Sequence, residues 1–243
     1  MRPIVATAGW SIARGCAHRF PTDGTGLERY AALFGGVEIN SSFHEPHRAA
    51  TWARWAASVP DAFRFSVKMP KTITHGAKLQ DCAELVGAFL EQIAPLGDKL
   101  AVLLVQLPPK LAFAPEVAGA FFASLRAQTP VPVACEPRHP DWFSAKADNL
   151  LRAHGVARVA ADPALSDVAA TSGGWPGLAY WRLHGSPLIY RSAYGPERLA
   201  GYAERIEASD AGARWCVFDN TASSAATGDA IWLRDRLAPQ PTE

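Results

Sequence analysis

The sequence predicts an α/β fold, a TIM-type (β/α)8 barrel formed by a single domain over residues 1–243, with the sixth helix weak or replaced by a loop. Three observations lead there. Short β-like runs alternate with helical patterns from end to end, which argues for a parallel sheet. Eight such units in 243 residues match the length of a barrel. Nearly every strand run also ends in charged or amide residues, as expected where strand ends converge on one mouth. A doubly wound open sheet is the architectural competitor.

The elements are expected in the following order. The first strand is "IVATAGW" (Ile4–Trp10), followed by an amphipathic helix, "GLERYAALF" (Gly26–Phe34). "GVEIN" (Gly36–Asn40) is the second strand and leads to a helix over Pro46–Val59, where Pro46 suits a first turn. Phe63–Lys68 precedes a loop and a long helix, Leu79–Gly97. Leu100–Gln106 stops at Pro108-Pro109 and leads to the helix Pro115–Gln128. Pro132–Glu136 passes through "PRHPDW" into a helix ending near "NLLRAHG". Ala157–Asp162 is followed by a Gly- and Ser-containing loop with little helical character. Ala179–Gly185 precedes a helix near "PERLAGYAERIEA", and Trp215–Asp219 precedes the last, "TGDAIWLRDRL".

Side chains alternate across a strand, so each run has two faces. Gly36 shares a face with Glu38, Ser66 with Lys68 and Ala134 with Glu136, and Ala160 is paired in the same way with Asp162. The opposite faces carry Val37, Ile39, Phe65, Val67, Val133, Cys135, Val159, Trp181 and Leu183. Small residues beside polar strand ends fit a crowded interior. The apolar faces fit helices packed outside.

Composition narrows the function classes. The chain is 49% hydrophobic and 19% charged, as in a globular protein, and its net charge of +1 gives no global field for nucleic acid or membranes. Nucleic acid remains open as a partner but is not indicated by charge. Cys16, Cys82, Cys135 and Cys216 are isolated, with no CxxC pair. The N-terminal "MRPIVATAGWS" lacks an apolar leader and no run is long enough to span a bilayer, so a cytoplasmic protein with reduced thiols is expected.

The segments "VEINSSFH", "FRFSVKMPKTITH", "VQLPP", "EPRHPDW", "RLHG" and "FDN" resemble the YecE-like family, catalogued as domain of unknown function seventy-two. They occur in that family's order and span almost the whole chain. The resemblance implies a TIM-type barrel and supplies no established reaction. This chain has His44 where the family usually has Tyr, and Asp219 where it commonly has Asn.

One rim is expected to gather Glu38, Glu136, Asp162 and Asp219 with Lys68, Arg138, Arg182, His75, His139 and His184. Glu38, Lys68, Glu136 and His184 are the candidate catalytic residues. Asn40, His75, Gln106, Arg138, His139, Asp162, Arg182, Asp219 and Asn220 are the candidate substrate-binding residues. Glu38 and Glu136 can serve as acid and base where their environments separate their pKa values. Lys68, Arg182 and Arg138 suit a phosphate or carboxylate, His184 and His139 suit proton transfer, and Lys68 can also form a Schiff base. The expected activity is metal-independent acid–base chemistry (a hydrolase, lyase or isomerase) on a small phosphorylated or carboxylated substrate, with no cofactor.

Two alternatives stand beside it. One is a divalent-metal hydrolase of phosphodiesters or nucleic acid, using Glu38, Glu136, Asp162, His184 and Asp219 as ligands. The other is a non-catalytic anion-binding module. Neither HxH nor HExxH spacing supports the metal. Cys135 is expected in the core, Trp52 and Trp55 in helix packing, and His47 and His154 on the surface.

Overall fold

Ten strands and seven α-helices alternate along the chain in the structure, a computed structural model that describes residues 2–238. The strands are β1 (Ile4–Thr7), β2 (Gly36–Ile39), β3 (Arg64–Lys68), β4 (Leu100–Gln106), β5 (Val133–Glu136), β6 (Val156–Arg158), β7 (Ala160–Asp162), β8 (Gly173–Gly174), β9 (Leu178–Leu183) and β10 (Ala213–Phe218). The helices are α1 (Gly26–Ala31), α2 (Ala49–Ala57), α3 (Ala83–Ile93), α4 (Pro115–Gln128), α5 (Ala145–Ala153), α6 (Pro196–Glu207) and α7 (Ala225–Arg236).

The strands form two sheets, ordered β2-β3-β4-β5-β6-β8 and β1-β10-β9-β7, rather than one closed sheet. Every pairing between neighbours is parallel except that of the two-residue β8 with β6. The sheets meet along two seams. At one, Ala8 forms an isolated parallel bridge to Glu38, and the Gly9 amide donates to the Glu38 carbonyl at 2.8 Å. At the other, Val159 alone separates β6 from β7, and its amide still reaches the Cys135 carbonyl at 2.8 Å. The strand expected over Ala157–Asp162 is therefore broken, because the chain there crosses from one sheet to the other. As the sequence suggests, no α-helix intervenes between β7 and β9.

Apolar residues fall into two cores. Ala6, Val102, Leu104, Ala134, Val159, Tyr180, Trp215 and Val217 fill a small one between the sheets. A larger core packs the opposite strand faces, Val37, Phe65, Val67, Cys135 and Leu183 among them, against the helices. Gly36 is required where these layers tighten. A Cβ there would lie 2.8 Å from Ile4 Cγ2, 2.9 Å from the Arg64 carbonyl oxygen and 3.0 Å from Trp215 Cη2.

Helix ends depart from the sequence expectation for local reasons. Pro46 lies outside α2. Arg48, just before α2, is extended, and the His47 ring packs edge-on against Trp52 and Trp55 and hydrogen-bonds Ser41 Oγ at 2.7 Å. His47 is thus half-buried rather than a surface residue. The helix expected from Leu79 begins at Ala83, because Lys78, Leu79 and Asp81 adopt positive φ and cannot continue a right-handed helix. Beyond Ile93 the chain tightens into 3-10 turns over Ala94–Lys99 that are broken at Gly97, where φ is positive. All four cysteines are free, and no helix of the described residues is long and apolar enough to cross a membrane.

Candidate functional site

β9 supplies the centre of a buried ion network. Tyr180, Arg182 and His184 occupy alternate positions, so all three project from one face of the strand into the space between the sheets. Arg182 is fully buried and grips Glu38 with two bonds, Nε to Oε2 at 3.0 Å and Nη2 to Oε1 at 2.6 Å. It also donates through Nη1 to Glu136 Oε2 at 2.7 Å and through Nη2 to Asp219 Oδ2 at 3.0 Å. One guanidinium thereby ties the ends of β2, β5 and β10 to β9.

The neighbouring layers complete the lattice. Below Arg182, the Tyr180 hydroxyl lies 2.8 Å from both Glu38 Oε2 and Ser66 Oγ. Above it, His184 contacts Asp219 Oδ2 through Nδ1 at 3.0 Å and Glu136 Oε1 through Nε2 at 2.8 Å. Arg138 Nη2 approaches both Glu136 Oε1 at 2.7 Å and His184 Nε2 at 2.8 Å. Arginine has only donors, so accepting its bond requires an unprotonated Nε2, with the imidazole proton on Nδ1 facing Asp219. Protonation of Nε2 would exchange that bond for one to Glu136.

Electrostatics separates the groups that hold the network from those that can titrate. Burial pushes the Glu136 carboxyl up, but Arg182, Arg138 and His184 overcome it and keep the group well below the usual carboxylate range. Burial also raises Asp219, and Arg182 with the His184 hydrogen bond overturns it to a net lowering. Burial works against the Arg182 charge, and the facing carboxylates more than restore it. Lys68 goes the other way: burial, reinforced by the Arg182 charge, lowers its pKa to about 8 despite Glu38, Glu136 and Asp219.

Lys68 ends β3 and is 8% exposed. Its Nζ lies 4.0 Å over the Phe43 ring. Among the described residues it forms no ion pair within 4 Å, because the nearby carboxylates are turned to Arg182. His75 packs edge-on against the same Phe43, and burial and the Lys68 charge lower its pKa. Asn40 Oδ1 and Arg138 Nε are buried without a hydrogen-bond partner. Gln106 pairs in register with Glu136 and is partly exposed.

Several sequence expectations need correction. Asp162 does not join this network. Val159 faces the inner core and Ala160 the helix-side core, so alternation sends Asp162 outward. There it accepts two bonds from Arg198 Nη2 at 2.8 and 2.7 Å and one from the Tyr202 hydroxyl. It lines a separate cavity of about 710 Å³ with Pro163, Glu197, Arg198 and Arg205. Arg182 is not available to a substrate anion, since it is buried and its donors face three carboxylates. Asn220 is buried behind the mouth, donating to Ser192 O at 2.9 Å and Asp229 Oδ2 at 2.7 Å. His139 caps its own turn, accepting from the Asp141 amide at 3.3 Å.

Tyr180 and Phe43 were not among the expected site residues. The alternation Tyr180–Arg182–His184 is the signal that identifies the first, whereas Phe43 reaches Lys68 through a tertiary contact with no signature in sequence. The metal alternative finds no donor set, since among the described residues no three His, Cys, Asp or Glu side chains are grouped to hold an ion.

Comparison with known proteins follows this geometry. A family model described as "Protein of unknown function DUF72" matches residues 4–243. The UPF0759 protein YecE of Escherichia coli (strain K12) is 36% identical over 123 residues, 49% of this chain and 44% of that protein. The UPF0759 protein YunF of Bacillus subtilis (strain 168) is 27% identical over 124 residues, with the same coverage. The matched segment thus spans less than half the length of these relatives. Crystal structures of DUF72 family proteins are similar throughout in fold. That from Thermotoga maritima MSB8 has a TM-score of 0.80 at 24% identity, covering 98% of this chain and 99% of its own. That from Enterococcus faecalis V583 has a TM-score of 0.81 at 20% identity, covering 99% of each chain.

Proposed function

The chain belongs to the DUF72 family, and on that premise we propose that it is an enzyme whose strand-end cluster binds a small carboxylated or phosphorylated substrate and moves protons on it. The observation that carries this reading is the division of labour among the cations. Arg182 is saturated by Glu38, Glu136 and Asp219. Lys68 has no anion within 4 Å among the described residues, and Arg138 keeps an unpaired Nε. A buried cation without a counter-ion is unfavourable, and an incoming anion removes that penalty.

Glu136 is held too firmly ionised to act as an acid at neutral pH, so the acid–base pairing of Glu38 with Glu136 is set aside. His184, bracketed by Glu136, Asp219 and Arg138, can exchange a proton between its two hydrogen-bond patterns. Lys68, at about 8, is placed to titrate near neutrality. The two seams, Ala8 with Glu38 and Val159 between β6 and β7, support a barrel-like closure of the single domain around this cluster. The free cysteines support a reducing, cytoplasmic setting.

Thermal unfolding against a panel of phosphate, small phosphate esters and small carboxylates tests the reading. A ligand at one hundred times its Kd stabilises by about 2.7 kcal/mol. The expected result is stabilisation by at least one anion, with affinity reduced tenfold or more in Lys68→Met and in Arg138→Ala. Stabilisation that persists in Lys68→Met would place the anion elsewhere.

A further inference from the structure

We propose that Lys68 is a covalent site, condensing with a ketone or aldehyde carbonyl on a substrate whose carboxylate or phosphate is held by Arg138. The inference rests on the proposed anion-binding function and deepens it by naming the substrate class, a small oxo-acid or a carbonyl-bearing phosphate ester.

The geometry carries it in three steps. Lys68 Nζ is nearly buried at the C-terminal end of β3, yet among the described residues it forms no ion pair and no hydrogen bond to a side chain. Three carboxylates share its surroundings, and Arg182 takes all of them. The amine is left facing the Phe43 ring at 4.0 Å, an apolar surface over which a planar carbonyl group can lie. A lysine that served as a plain counter-ion would be expected to pair with one of these carboxylates.

The charged groups around Nζ come from every neighbouring element: Arg182 on β9, Glu38 on β2, Glu136 on β5, Asp219 after β10 and His75 beyond β3. Burial and Arg182 outweigh the carboxylates and bring the group to about 8. Compared with an ordinary lysine near 10.4, this gives on the order of a few hundredfold more free amine at pH 7. A desolvated lysine beside a second cation is a known way of preparing such a nucleophile.

The step balances without oxidant or metal. The Lys68 lone pair forms a C–N bond to the carbonyl carbon while the C=O π pair moves to oxygen, which takes a proton. The nitrogen then loses a proton and the hydroxyl leaves as water after protonation, yielding an imine that is protonated in its reactive form. Arg138 lies within reach of the same cluster, bound to Glu136 at 2.7 Å, with its Nε unpaired.

Reductive trapping tests the proposal. The full chain is incubated at pH 7 with pyruvate and sodium cyanoborohydride, then mapped by peptide mass spectrometry, with acetaldehyde as the uncharged control. Pyruvate is expected to label Lys68 at least tenfold faster than Lys71, Lys78, Lys110 or Lys146. That preference should be several-fold smaller with acetaldehyde and in Arg138→Ala, where only the larger free-amine fraction of Lys68 remains, and the label should be absent from Lys68→Arg. Circular dichroism checks that each variant is folded, and the Lys68 labelling rate should rise to a plateau through pH 8. Labelling of Lys68 no faster than the surface lysines, in wild-type protein, overturns the covalent role. Should pyruvate or phosphate still stabilise the wild type and not Lys68→Met, the anion site stands and the imine alone fails. With neither trapping nor stabilisation, both readings fall.

Discussion

Lys68 carries a burial penalty that a purely structural residue would not. Lowering its pKa from 10.5 to about 8 corresponds to about 3 kcal/mol against the charged form in the fold. The unfolded chain keeps the ordinary value, so the penalty is fully present below pH 8 and is relieved as pH rises from 8 towards 10.5. Lys68→Met keeps much of the stem volume and removes the charge. It is expected to stabilise the protein by about 1–3 kcal/mol at pH 7 in urea unfolding, with a smaller gain at pH 9.5. A loss of stability at pH 7 would instead make Lys68 a counter-ion of the network. Glu136 should behave oppositely. Glu136→Gln deprives Arg182, Arg138 and His184 of one shared anion, and a broken buried pair costs about 3–5 kcal/mol. These opposite signs at two strand ends of one sheet separate the group that acts from the groups that hold.

At the scale of elements, alternation within a strand was legible where small and polar residues coincided. Gly36–Glu38, Ser66–Lys68 and Ala134–Glu136 do face inward, and Val37, Val67 and Cys135 outward. The same reasoning fails at β6 and β7, where polarity does not mark the inner face. Arg158 and Asp162 are both charged and both outward, neutralised by Asp148 on α5 and Arg198 on α6. Counting by twos from Ala157 to Val159 places Asp162 correctly, and Arg198 with Tyr202, four apart on α6, is its partner signature. The saturation of Arg182 had no such signal, since it depends on three strands meeting in space. Gly36 yields a prediction at this scale. In Gly36→Ala the new methyl meets backbone oxygen at 2.9 Å, which cannot swing aside as a side-chain end can. A loss of about 1–3 kcal/mol is expected by chemical denaturation. Because Gly36 opens β2 while Glu38 lies two residues further along it and Lys68 closes β3, anion affinity should be unchanged in the folded fraction.

For the whole molecule, the network matters because it crosses the seam between the sheets. Glu38 and Glu136 belong to the six-stranded sheet, whereas Arg182 lies on β9 and Asp219 follows β10 in the four-stranded one. Backbone pairing between the sheets is sparse at both seams, so the ion network is a principal link at the strand ends. Glu136 and Asp219 are held below their unfolded pKa values. The stability they contribute is therefore fully present above the ordinary carboxylate range, near pH 4, and is lost as pH falls through their folded values. Urea midpoints should change little from pH 7 to pH 5 on this account and fall steeply below about pH 4. Amide hydrogen exchange near pH 3.5 distinguishes how the molecule opens. If the network couples the sheets, amides of Val67 and Val105 in one sheet and of Trp181 and Val217 in the other lose protection together. Exchange of the four-stranded sheet ahead of the six-stranded one would show that the helices and apolar cores hold the halves independently. It would reduce the network to its part in shaping the mouth, where Lys68 is kept without a counter-ion.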